Sequence, residues 1–390
     1  MTWHPQERPA IDFLLIEAFV EGRSTLTGPG RRVIKAAKDA GHRFAEETMK
    51  TLRLITHGVL MGAFVAELGA LAIAETHTLV PTPKTVTWGY FDARTPPVLR
   101  VHSGDTVDIE ALIAAAPRQL EAAGVPREKI QQALFDIDRE VTERGEIPHI
   151  LTGPIYVDGA RPGDVLEVRI LSVDLTIPYA VTFFMPGRGF LPDEFPYFHA
   201  RAIPLDMNRK VANFAPGIEV PIRPFFGVIG VAPPPLTGRI SSGPPWIHTG
   251  NMDNKELIAG STLYVPVHAD GALFSVGDGH AAQGDGEVCV TAMETSLRGT
   301  FQLIVRKDMK LDWPRAETPT DYMTMGFHEN LTDATRIATE QMLDFLMNDK
   351  HLDRSSAYVL ASNAMNLRIT QLVDGKVGVH ALLPKAIFKQ

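Results

Sequence analysis

Carboxylates, glycines and a histidine crowd into residues 248–294 of this chain. Asn251-Met252-Asp253 follows a glycine. Gly277-Asp278-Gly279-His280 opens an acidic, glycine-rich loop, and Gly284-Asp285-Gly286-Glu287 closes it. Asp278, Asp285 and Glu287 lie within ten residues of one another. Two carboxylates held about 5 Å apart repel by roughly 3 kcal/mol at an effective dielectric near 20. Such a loop either splays its acids apart or holds a cation or a shared proton among them. His280 beside them favours a transition metal such as zinc over calcium. The competing reading is three solvated acids on a turn-rich loop with a surface histidine.

Short apolar runs at residues 262–267, 273–276 and 287–293 lie between and after these groups. They are β-branched and bounded by Gly, Pro or Asp, which predicts strands. Glycine frees the backbone for tight connections. Carboxylates and a histidine on such connections are what a catalytic loop on a rigid sheet requires.

This stretch resembles the acetamidase/formamidase family of amide hydrolases. The resemblance is carried by Asn251-Met252-Asp253, by the run from Gly277 to Glu287 (GDGHAAQGDGE) and by Thr291-Ala292-Met293-Glu294. Trp88-Gly89-Tyr90-Phe91, His149-Ile150-Leu151-Thr152-Gly153-Pro154, Pro162-Gly163-Asp164 and residues 367–384 are similar to the family in the same order. Coverage is roughly residues 76–387, and the glycine-acid-histidine string is its most specific part. One departure is Thr249, where the family has a second glycine before Asn-Met-Asp. The resemblance implies a small-molecule amide substrate and a homo-oligomer. It puts these residues at the site without dividing the roles among them.

The chain of 390 residues is 45% hydrophobic, enough for a large core in one domain or two closely joined ones. A net charge of -8 and a pI near 5.9 argue against nucleic acid or an anionic membrane surface as partner. A single cysteine excludes an intrachain disulfide and leaves the compartment open. With 32 glycines and 29 prolines, a strand-rich, turn-rich protein is expected, not a helical bundle. The expected fold class is α+β: β-rich, with mixed sheets and a few peripheral helices.

Residues 1–74 read as an N-terminal extension, and residues 75–390 as the catalytic domain. Within the extension, residues 49–74 have a methionine, two positive charges, an apolar stretch and an Ala-x-Ala exit, the layout of a secretory signal peptide. Export to the periplasm or outside follows if that signal is used; otherwise the protein is cytoplasmic. The mature form is expected to lack a stable membrane span, because charged residues interrupt the apolar stretch. An amphipathic helix packed on the enzyme is the alternative.

Further along, residues 98–101 and 106–109 suggest a small hairpin. Residues 113–124 and 127–139 have helical composition, and Thr152-Gly153-Pro154 suggests a turn. In residues 164–175 the apolar phase slips by one residue, which predicts a bulge. Phe183, Phe184, Phe190, Phe195 and Phe198 read as ordinary core rather than a pocket lining or lid. His248 and Trp246 are placed near Asp253 by sequence. Residues 330–349 show helical spacing, with Thr332 as N-cap. A second helix is expected at 355–366. Asp374-Gly375 reads as a two-residue turn in a purely structural terminal hairpin.

Amide hydrolysis needs an activated water or nucleophile, a polarised carbonyl and a proton for the leaving nitrogen. A divalent metal supplies the first two and a carboxylate the third. Asp253, Asp278 and His280 are the candidate ligands. Glu294 is the candidate general base and acid, with Glu287 as its rival, and His149 is a further site candidate. Cys289, inside an apolar run, reads as core rather than nucleophile. Ser241-Ser242-Gly243 lacks the Lys-bearing surroundings of a serine amidase. The remaining readings are a hydrolase of a lactam or larger amide, and a noncatalytic periplasmic binding protein.

Overall fold

Along Thr106–Ala111 every second residue is apolar, and Val107, Ile109 and Ala111 are buried. Strands with this period recur through the chain and must bury one face. The computed structural model describes residues 74–389, where they form two large sheets. The signal-peptide reading of residues 49–74 therefore falls almost wholly outside the described residues. No helix among those described is long and apolar enough to cross a membrane.

The first sheet has nine strands. Their order is Thr76–Leu79, Thr106–Ala111, Leu297–Arg306, Val165–Leu175, Thr262–Pro266, Arg315–Glu317, Asp321–His328, Val377–Pro384 and Asn366–Gln371. The second, of eleven strands, runs through Tyr179–Phe184, Glu294–Thr295, Phe274–His280, Phe225–Gly230 and Thr249–Asn251. Ile150–Val157 joins it beside Phe274–His280. Most pairs are antiparallel, but Thr76–Leu79 with Thr106–Ala111, and Leu99–Val101 with Ile150–Val157, are parallel. The sheets are mixed, as expected. Phe226 and Phe274 of the second sheet meet Phe301 of the first, with ring centroids 5.2 and 5.8 Å apart, in the main apolar core.

Four α-helices decorate the described sheets: α1 (Pro117–Ala122), α2 (Gln132–Glu140), α3 (Leu331–Asn348) and α4 (Arg354–Ala364). Along α3 the helical spacing buries Ala334, Ala338, Met342, Phe345 and Leu346 on one face. Its cap is Asn330, not Thr332: Asn330 Oδ1 accepts from the N–H groups of Thr332 (2.8 Å) and Asp333 (3.3 Å). Gly326 lets α3 lie flat on its strand, since a Cβ there would stand 2.2 Å from the Ala334 carbonyl oxygen.

Several local expectations are corrected. The predicted hairpin is absent: Leu99–Val101 pairs in the second sheet and Thr106–Ala111 in the first. Thr152-Gly153-Pro154 lies inside a strand, where Thr152 is paired with both Val86 and Val276. Residues 287–293 are no strand, because Glu287 and Val290 have φ of 44° and 82°. Phe190, Phe195 and Phe198 are exposed rather than core. Cys289 is half-buried on that irregular segment. The bulge is found where the phase slips: Ser172 pairs with Thr300 and Ile170 with Phe301, leaving Leu171 unpaired.

Candidate active site

The strand Phe274–His280 does not stop at its apolar part, since Gly277-Asp278-Gly279-His280 continues it. Side chains two apart on a strand share a face, so Asp278 and His280 point the same way. Across the sheet His280 is paired with Glu294 on one side and Phe225 on the other. Asp253 follows Thr249–Asn251 and is tied by its N–H to the Gly227 carbonyl (3.2 Å). The irregular segment after His280 brings Glu287 back to the same place.

His280 Nε2 lies 3.2 Å from Asp278 Oδ2 and 3.3 Å from Glu294 Oε1. Asp253 Oδ1 is 3.8 Å from Nδ1 of the same ring. Two groupings of donor atoms therefore share His280: one with Asp278 and Glu294, one with Asp253 and Glu287, the atoms of each lying within 4.8 Å of one another. All five residues are buried, none more than 7% exposed. Buried polar atoms are almost always hydrogen-bonded. Yet both Asp253 oxygens, His280 Nε2 and Glu294 Oε2 have no hydrogen-bond partner among the described residues. Their chemistry and their orphaned state fit a divalent cation.

Backbone strain accompanies the cluster. Asp253, Asp278 and Glu287 have φ of 50°, 54° and 44°, a left-handed conformation that costs a non-glycine residue about 1–3 kcal/mol. Gly227 completes the cradle. A Cβ there would come within 2.5 Å of Asp253 Oδ1 and of Asp278 Oδ2.

A cleft of about 760 Å³ opens onto the cluster, lined by Asp253, Asp278, Glu287 and Glu294 among others. His149 also lines it, with Nδ1 held 3.1 Å from Ser242 Oγ. Asp374 was missed by sequence reasoning. The terminal hairpin does not turn at Asp374-Gly375 in two residues. Instead Gln371 Oε1 accepts from the N–H groups of Val373 (2.9 Å) and Asp374 (3.2 Å), and the wider loop lays Asp374 against Asp253. An acid on a turn is usually solvated, so no local signal marks this one.

Other candidates fall outside. Asp285 turns away to Lys255 (3.0 Å) and Arg368 (2.8 Å), so the expected crowd of three acids is differently composed. His248 does not line the cleft. It is sealed against Phe91, and burial, with His268 and Lys376 nearby, pushes it down to about 3. Cys289 donates to the Thr291 carbonyl (3.4 Å) and does not line the cleft either.

Burial pushes Glu294 up to about 8, with the Asp278 charge adding to the rise against His280. Burial, then the charges of Asp253 and Asp374, hold Glu287 well above the carboxylate range. Asp253 is raised by burial and Asp278, and Asp374 by burial and Asp253. Burial works against a charged His280, but Glu294 and Asp278 outweigh it and raise the ring. Burial would raise Asp278 too, but His280 and His149 outweigh it and lower the group.

Protein stripped of divalent cations should lose stability as pH rises. The raised acids keep protons in the folded state that the unfolded chain releases, for Glu294 between the ordinary 4.5 and about 8. The raised His280 acts in the same direction, stabilising below its ordinary value and losing that contribution as pH rises. His248, His268 and His380, pushed down by burial, oppose this around their ordinary value of 6.5, so melting temperatures after chelation should fall most clearly from pH 7 to pH 8, and saturating zinc should flatten the fall. A melting temperature that climbs over this interval would contradict the sign.

Thr249 stands at φ 66°, so the left-handed path survives the loss of glycine. Its hydroxyl donates to the carbonyls of Ile229 (2.5 Å) and His248. Thr249→Val keeps the strain and loses the hydroxyl bond, while the Val231 N–H still donates to the His248 carbonyl (3.2 Å), a loss of about 0.5–1.5 kcal/mol. Thr249→Gly relieves the strain as it loses the bond, and should be nearly neutral. Urea unfolding of both variants checks the contrast.

The geometry has a family counterpart. The Acetamidase/Formamidase family model matches residues 91–237 and 240–390. The chain belongs to the Acetamidase/Formamidase family. Among solved structures of the family's kind, an acetamidase from Yersinia enterocolitica superposes with a TM-score of 0.70 at 30% identity, covering 83% of this chain and 96% of that one. An acetamidase of Mycolicibacterium smegmatis is 29% identical over 199 residues, 36% of this chain and 49% of that protein. A formamidase of Methylophilus methylotrophus is 30% identical over 191 residues, 36% of this chain and 47% of that protein. The chain thus spans about half the length of the curated relatives it matches.

Proposed function

We propose that this member of the Acetamidase/Formamidase family hydrolyses the C–N bond of linear amides to a carboxylate and ammonia, using a divalent cation held in the buried cluster. Zinc is our choice of cation because a histidine nitrogen stands among the donors. The observation that carries the proposal is the convergence of Asp253, Asp278, Glu287 and Glu294 on His280 beside an open cleft, with both Asp253 oxygens, His280 Nε2 and Glu294 Oε2 unsatisfied among the described residues.

When bound, such a cation acidifies a water and polarises the scissile carbonyl. The remaining tasks fall to the chain. Glu287 or Glu294 takes the proton of the attacking water and returns it to the leaving nitrogen. Asn251 Oδ1, buried on a cleft-lining residue without a partner among the described residues, accepts from the substrate amide N–H. His149, anchored by Ser242, has its second ring nitrogen free for the substrate. The signal-like layout of residues 49–74 supports action outside the cytoplasm.

Cleft size favours a second reading of the substrate. Pockets that enclose drug-sized ligands measure roughly 300–1,000 Å³. The 760 Å³ here, lined in part by Trp88, Ile147, Phe183 and Met185, would be largely empty around formamide. An amide with an extended apolar acyl group fits better. Ammonia release across a series from formamide to long-chain and aryl amides, before and after chelation, tests both readings. Release only from the larger amides selects the second. No release from any of them by zinc-loaded protein would leave a binding protein instead of an enzyme.

A further inference from the structure

A histidine ring offers a cation only the nitrogen that carries no proton, and the hydrogen bond made by the other nitrogen decides which one that is. For His280 the choice is between two edges. Nε2 faces Asp278 and Glu294 at 3.2 and 3.3 Å. Nδ1 faces Asp253 Oδ1 at 3.8 Å, too far for a hydrogen bond, and Gln283 Oε1 at 3.0 Å.

The orientation of Gln283 is fixed from its other end. Its Nε2 donates to the backbone carbonyls of Asp253 (2.8 Å) and Thr370 (3.4 Å). Carbonyl oxygens only accept, so turning the amide over would set oxygen against oxygen. Oε1 must therefore be the atom beside Nδ1. An amide oxygen also only accepts, so the hydrogen of that bond belongs to Nδ1.

We infer that Gln283 is a positioning residue that locks His280 in its Nδ1–H form and leaves Nε2 as the ligand nitrogen. The cation is then held by Asp278, His280 and Glu294, not by Asp253, His280 and Glu287. Glu287, which lines the cleft, becomes the proton-carrying carboxylate, with Asp253 and Asp374 beside it. This rests on the cation proposed above and says which face of the ring holds it.

The test is zinc affinity of the full chain, read by competition with a chromophoric chelator, for wild type, Gln283→Leu and Gln283→Glu. Loss of a residue that orients a ligand weakens metal binding about 10–100-fold, and Gln283→Leu should fall in that range with an unchanged circular dichroism spectrum. Gln283→Glu keeps an acceptor for Nδ1–H, and in its protonated form its hydroxyl can still donate to the Asp253 carbonyl, so below its titration it should lose much less than Gln283→Leu. In zinc-loaded wild type, ¹⁵N spectra should show the His280 proton on Nδ1. A proton on Nε2, wild-type affinity in Gln283→Leu, or equal losses in both variants would overturn the inference and leave the cation proposal intact. A wild type that takes up no zinc would remove the cation proposal, and the inference with it.

Discussion

Gly227→Ala is expected to give a folded protein that has lost both amide hydrolysis and cation affinity. Gly227 sits within the fully buried strand Phe225–Gly230 without a left-handed φ, so alanine meets no backbone penalty there. The new methyl group would stand 2.5 Å from Asp253 Oδ1, 2.5 Å from Asp278 Oδ2 and 2.8 Å from His280 Cε1, where ordinary contacts are 3.4–4 Å. All three neighbours belong to the cluster, so the intrusion is absorbed there. Displacing catalytic groups by about 1 Å costs roughly 10²-fold in rate, while overpacking costs about 1–3 kcal/mol of stability. Activity should thus fall by two orders of magnitude or more while a cooperative melt persists. Paired rate and melting measurements decide it; full activity in this variant would place the reaction elsewhere.

Glu287→Gln and Glu294→Gln should fail in different ways. If Nε2 of His280 is the ligand atom, Glu294 lies on the cation and Glu287 carries the proton. Removing a general base and acid lowers kcat by about 10²–10⁴-fold, so Glu287→Gln should be slow but still bind zinc. Glu294→Gln should lose zinc first and activity as a consequence. Glutamine matches the shape of a protonated glutamate, and both side chains are buried acids raised toward the protonated form, so neither change should unfold the protein. Measuring kcat and zinc affinity on the same preparations separates them. The opposite pattern would exchange the two roles.

Much of the cluster could be read from the chain alone, because glycines beside acids are conspicuous and the run from Gly277 to Glu287 is compact. Asp253, Asp278, Glu287, Glu294 and His149 do line one cleft, with His280 buried among the acids behind it. Composition and strand periodicity also pointed to a strand-rich fold with few helices. Local pattern failed where long-range pairing decides the outcome. Gly277-Asp278-Gly279-His280 looks like a loop, yet the pairing of Phe225–Gly230 with Phe274–His280 keeps it extended. Leu99–Val101 and Thr106–Ala111 look like partners, yet each finds a better edge in a different sheet. Asp285 and Asp374 differ by their neighbours in space alone: arginine and lysine draw the first outward, while Gln371 widens the turn that delivers the second. Nothing near Asp285 in the chain encodes its outcome, and Gln371, close before Asp374, shapes the turn without marking which side chain it delivers.

The loop carrying Asp374 lies far along the chain from His149, with every other member of the cluster between them. During synthesis the acids at 253, 278, 287 and 294 emerge before the turn between Asn366–Gln371 and Val377–Pro384 exists to add Asp374 to the cleft. A growing polypeptide would therefore hold an unfinished pocket, open to water, until that ribbon docks.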